Sequence, residues 1–111
     1  MLTATKRDLG PRVLRKLSVL GAGETAEADD IELINEKLDA VHAALRTRGL
    51  LRWTLNAVPD YAQESYVLMA AFLAAPEFQR PPDASMWSAG MREIESAVAL
   101  PNAGTTPAEY F

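Results

Sequence analysis

The chain has 111 residues, 49% hydrophobic and 23% charged, with a net charge of -4, the profile of one folded domain and not of a chain disordered throughout. It contains no cysteine, which excludes disulfides, thiol nucleophiles and zinc sites built on thiolates. The acidic balance, with an isoelectric point of about 4.9, argues against a protein whose main task is coating nucleic acid, because that affinity comes from neutralising phosphates.

Residues 1–7 lack the apolar core of a signal peptide, and the longest apolar run, Tyr66 to Pro76, falls well short of the ~20 residues that cross a bilayer. Neither export by that route nor a membrane span is expected. Charge is unevenly spread: residues 6–16 carry a local +4 and residues 24–39 a local -6. Such blocks are either solvated faces or electrostatic docking surfaces.

The first helix is predicted over residues 9–20. With Asp8 as its N-cap, in preference to Thr5, Pro11 falls in the first turn, where its missing donor is not needed. Leu9, Val13, Leu17 and Leu20 share one stripe, and Arg12, Arg15 and Lys16 gather on its flank. Gly21 and Gly23 are expected to end it, since glycine readily takes the left-handed conformation. A second helix, from Thr25 or Glu27 to Gly49, is marked by Ile31, Ile34, Leu38, Val41 and Leu45, alternately three and four apart. Its first turns are acidic and its end is basic (Arg46, Arg48), which complements the helix dipole. Away from that seam, Leu33, Ala40 and Ala44 form a small-residue stripe. It reflects either the helix propensity of alanine or the packing of a neighbouring subunit.

Residues 50–55, Leu-Leu-Arg-Trp-Thr-Leu, read as an extended segment or strand. A third helix should start at Pro59. Its second half, from Tyr66 to Ala75, is apolar all round and must be covered on every side, more than a four-helix chain of this size is expected to manage alone. After Pro81 and Pro82, Asp83 or Ser85 can cap a last helix through Ala99. Trp87, Met91, Ile94 and Val98 would form its buried stripe, with Pro101 as its stop. The expected architecture is therefore mostly α: a small four-helix bundle over residues 1–100, a short extended segment after the second helix, and an extended C-terminal arm over residues 101–111. In that arm Tyr110 and Phe111 either dock, in a groove or along a sheet edge, or belong to a merely disordered terminus.

Residues for chemistry are few. His42 is the single histidine and borders the apolar seam, which fits a core-edge residue better than a general base; with no cysteine it cannot build a typical zinc site. Gly21 and Gly23 lack the rest of any phosphate-binding fingerprint, and Ser18, Ser65, Ser85, Ser88 and Ser96 lack a nucleophile-elbow context. Asp29 and Asp30 with Glu24 or Glu27 are the only paired carboxylates suited to glycoside hydrolysis, but they crowd a helix start that favours their ionised forms. The sequence is read as a non-enzyme without cofactor or metal.

Thr5-Lys-Arg-Asp-Leu9, Leu14-Arg-Lys-Leu17-Ser-Val19, Gly21-Ala-Gly-Glu24-Thr-Ala-Glu-Ala-Asp-Asp30, Ile34-Asn-Glu-Lys-Leu38-Asp39 and Gly49-Leu50 follow one another in an order and spacing that resemble the head-to-tail adaptor proteins of tailed bacteriophages. The likeness is greatest to the tail accessory factor of short-tailed phages. Val58-Pro59 and Leu73-Ala-Ala-Pro-Glu-Phe78 resemble that family's next helix and its ending, while Val41 stands where members often carry Trp. The resemblance implies a virion protein of the neck, passing through the host cytoplasm during assembly, in a homo-oligomeric ring, usually of twelve copies. Such a ring sits beneath the portal protein, lengthens the channel for genomic DNA without binding it specifically, and docks a tail nozzle, tail tube or stopper protein.

On that reading Arg12, Arg15 and Lys16 would make charge contacts with a neighbouring subunit or the portal, and Leu33, Ala40 and Ala44 would pack against a neighbouring subunit. Pro107, Glu109, Tyr110 and Phe111 would dock the arm. The alternative is a small helical nucleic-acid-binding regulator using the basic flank of the first helix, although no second basic helix suited to a groove is present. A free-standing helical interaction module is the third.

Overall fold

The computed structural model describes residues 3–21 and 23–105, the last seven of them as backbone only. Its elements, in chain order, are β1 (Thr3–Ala4), α1 (Lys6–Lys16), α2 (Ala28–Thr47), β2 (Val58–Pro59), α3 (Asp60–Ala74), a 3-10 turn (Ala75–Phe78) and α4 (Ala84–Thr105). The described residues are thus mostly α, with four helices and one two-stranded sheet. β1 and β2 pair antiparallel, Thr3 with Pro59 and Ala4 with Val58, which ties the start of the chain to the start of α3. Residues 50–55 form an irregular connector; the strand pairing falls later, on Val58–Pro59.

Helix α1 starts earlier than its sequence indicates. Thr5 is the N-cap, and Asp8 reaches back to accept the Thr5 N–H at 3.0 Å while its own N–H donates to the Thr5 carbonyl at 3.0 Å. Pro11 therefore lies in the helix interior, where it cannot donate to the Arg7 carbonyl. Gly10 eases this placement because it has no Cβ to clash with the proline ring. A Cβ there would also come within 3.3 Å of Ile31 Cδ1 on α2.

The same helix ends before either glycine. Ser18 takes the left-handed conformation (φ 62°), with Ser18 N–H to Arg15 O at 3.0 Å and Val19 N–H to Leu14 O at 2.9 Å. This is the Schellman pattern usually built on glycine. Helix α2 ends the same way but with the expected residue: Gly49 has φ 71°, and Leu50 N–H donates to Leu45 O at 3.0 Å.

Helix α3 is the centre of the bundle, packed against α1, α2 and α4. Tyr66, Met69, Ala70, Ala71 and Ala74 are completely buried, Leu68, Phe72 and Leu73 half-buried. The expectation that this helix exceeds what one chain can cover is corrected: its neighbours enclose most of it. Size explains the difference, because alanines present little area, and Gly90 lets α4 approach closely. A Cβ at Gly90 would sit 2.6 Å from Met69 Cγ and 2.9 Å from the Ser65 carbonyl. Ile34, Leu38, Val41 and Leu45 from α2, with Leu9, Val13 and Leu14 from α1, fill the other side of α3.

Asp83 caps α4, accepting the Ser85 N–H at 3.0 Å and the Ser85 hydroxyl at 2.6 Å; those bonds hold its carboxyl below the ordinary carboxylate range. Met91 and Ile94 are buried and Trp87 and Val98 partly so. Pro101 does not stop the helix, which runs on to Thr105. The first five residues of the expected arm are thus helical, and residues 106–111 lie outside the described residues.

Candidate functional site

The basic flank of α1 is held against α3. Arg12 donates through Nη1 to Gln63 Oε1 at 3.1 Å and through Nη2 to Glu64 Oε1 at 3.2 Å, while Lys16 Nζ lies 2.9 Å from Glu64 Oε2. Gln63 is itself buried, and its amide donates to the Val58 carbonyl at 3.1 Å. One carboxylate therefore bridges two of the three predicted bases, and Arg15 has no ion pair among the described residues. Arg12, Arg15, Lys16, Glu64 and Val67 line a shallow groove of about 400 Å3 with a residual positive charge. The pairs are half-exposed, so each contributes at most about 1 kcal/mol, and their main effect is to fix where the charges point.

A second groove, of about 410 Å3, is lined by Leu14 of α1, the connector between α1 and α2, and the start of α2. Leu14, Val19 and Leu20 form its apolar part, and Glu24, Glu27 and Asp30 its acidic part. Glu24 is partly used locally, accepting the Gly21 N–H at 2.5 Å. Asp29, on the first turn of α2, does not line this groove. The four carboxylates considered for hydrolysis thus border open surface at the start of a helix, without an enclosed cleft around them.

On α2, Leu33 and Ala44 are half-buried and Ala40 is exposed. The stripe runs along a face that α1 and α3 leave partly open, and no described element seats on Ala40. Pro107, Glu109, Tyr110 and Phe111 lie outside the described residues. A third, smaller groove of about 210 Å3 between α3 and α4 is apolar, lined by Phe72, Leu73, Ala84, Trp87 and Ser88, with the Phe72 and Trp87 rings 6.0 Å apart.

Sequence reading missed two polar constellations. His42 Nδ1 is 2.7 Å from the Tyr66 hydroxyl, which also receives the Trp53 indole N–H at 2.9 Å. Arg80 donates to the carbonyls of Leu17 at 3.0 Å, Ser18 at 3.2 Å and Phe78 at 3.0 Å, so one guanidinium serves the end of α1 and the end of the 3-10 turn. Neither has a local signal, because the partners are distant in sequence. Gly90 did have one: a glycine inside a helical pattern marks a close approach.

Among the described residues no group of three or more His, Cys, Asp or Glu side chains is placed to hold a metal ion, and no described helix is long and apolar enough to cross a membrane. Fold and surface define a small helical bundle that presents two oppositely charged grooves and a small-residue face. Compared with protein families, with curated proteins and with solved structures, the chain matches none.

Proposed function

We propose that this protein is a structural subunit of a tailed-phage virion, a head-to-tail adaptor that forms a ring beneath the portal and docks the tail. The observation that carries the reading is the ordered run from Thr5 to Leu50, which resembles that family over one continuous unit: α1, its turn, and the length of α2. The two grooves support it. They share no lining residue and have opposite charge, which suits a heterologous contact between unlike faces of identical subunits, the kind that closes into a ring when the rotation permits.

In this proposal Arg15 supplies the uncompensated charge of the basic groove, while Arg12 and Lys16 line it from positions fixed by Glu64. Leu33, Ala40 and Ala44 pack against a neighbouring copy. Pro107, Glu109, Tyr110 and Phe111 attach the ring to the portal or to the next subunit. Twelve copies, the portal, and a tail nozzle, tube or stopper are the proposed partners, in the virion neck. Genomic DNA would pass through the lumen without specific binding and without catalysis by this chain. A nucleic-acid-binding regulator is the weaker reading, because Glu64 neutralises part of the basic flank of α1.

Light scattering and native mass spectrometry of the purified chain, alone and mixed with a portal ring, test the proposal. A complex of many copies with the portal is expected. A chain that stays monomeric in both samples overturns it.

A further inference from the structure

The Tyr66 hydroxyl stands between two nitrogens, the Trp53 indole Nε1 and His42 Nδ1. An indole N–H only donates, and a phenolic hydroxyl has one proton to give. Tyr66 accepts from Trp53 at 2.9 Å, and its one proton is 2.7 Å from an acceptor, His42 Nδ1, when neutral His42 carries its ring proton on Nε2, the tautomer that gives every proton in the group a partner. Tyr66 is fully buried and His42 is 8% exposed, so water has little access to replace a lost partner. A protonated imidazole would present a second donor to the same oxygen and leave the hydroxyl proton without its acceptor, an arrangement that costs a buried hydrogen bond.

We infer that His42, Tyr66 and Trp53 form an acid-released clasp on the connector between α2 and α3: neutral His42 holds Trp53 through Tyr66, and protonation of His42 lets Trp53 go while the helices remain. Trp53 is the connector's aromatic anchor, its ring 5.9 Å from Tyr61 and 6.4 Å from Tyr66.

The charges around the imidazole favour this direction. Burial, then Arg46 one turn along α2, lower its proton affinity, and Asp39 opposes them. Asp39 is itself held by Lys6 of α1 at 2.9 Å. α3 contributes the neutral Tyr66, whose own ionisation burial pushes up to about 12. Glu95 of α4 is occupied by Arg48 at 2.8 Å. Release therefore falls below the ordinary imidazole value of 6.5. The clasp's contribution to stability is complete above that pH and is lost as pH falls below it. The inference does not depend on the adaptor reading.

The chain has two tryptophans and one histidine, so both ends of the clasp can be observed singly. In a Trp87→Phe variant, Trp53 emission is expected to shift to the red as the pH is lowered below the ordinary imidazole value, with the far-ultraviolet helical signal retained. His42→Gln and Tyr66→Phe should abolish that transition. In the unsubstituted chain, nitrogen NMR of His42 at neutral pH should show the Nε2–H tautomer. An Nδ1–H tautomer, a pH-independent emission, a transition surviving in His42→Gln, or an emission change that coincides with loss of helix would each overturn the inference.

Discussion

The α3–α4 contact and the outer face of α2 each carry small residues and behave oppositely. At the first, Gly90 lets two helices close until a single added carbon would overlap Met69 and the Ser65 carbonyl. At the second, Ala40 and Ala44 lie on a face that no other part of the bundle fully covers. Small residues therefore do not by themselves define an interface. What decides is whether a partner helix is positioned to use the space they leave.

Substitutions can break or sharpen this contrast. Gly90→Ala should have the largest effect, destabilising by about 2 kcal/mol despite its gain in helix propensity, because one of the clashing atoms is backbone; urea denaturation reads it. Tyr66→Phe follows, with a loss of about 1.5 kcal/mol as the His42 nitrogen and the Trp53 N–H both lose their partner. Ser18→Gly should go the other way, raising the unfolding midpoint by the equivalent of about 1 kcal/mol, since it relieves a left-handed residue with a side chain. Ala40→Arg should have the smallest effect on the isolated chain, under about 0.5 kcal/mol, yet reduce assembly on the portal. If Ala40→Arg assembled like the parent chain, α2 would lose its proposed role while the ring itself stayed open to test.

The helix ends show how much was legible. α2 could be read almost to the residue because its signals are local: the three-four spacing from Ile31 to Leu45, and Gly49 with positive φ at its end. α1 misled at both ends. Its cap pair Thr5 and Asp8 was reversed in role, and its terminator was a serine whose strained turn is held by Arg80 from more than sixty residues away. Such a bond leaves no trace in a short window of sequence. The same holds for the two-residue β1–β2 pair, too short to show alternation, and for Pro101, which a continuing helix accommodates.

The candidate surfaces divide the same way. The basic flank of α1 and the stripe on α2 were visible as periodic patterns. That Glu64 ties down Arg12 and Lys16 while Arg15 has no ion pair among the described residues was not.

Periodicity, charge blocks and absent residue types were enough, from the sequence alone, to determine a mostly helical chain without thiol chemistry and with an amphipathic second helix. Only the tertiary structure decided that α3 is largely enclosed, that Ser18 ends α1, and that His42 belongs to a buried hydrogen-bonded node. The reason is physical: propensity and amphipathicity act over a few residues and are written locally, whereas close packing and side-chain partnerships depend on which distant atoms the fold brings within about 3 Å.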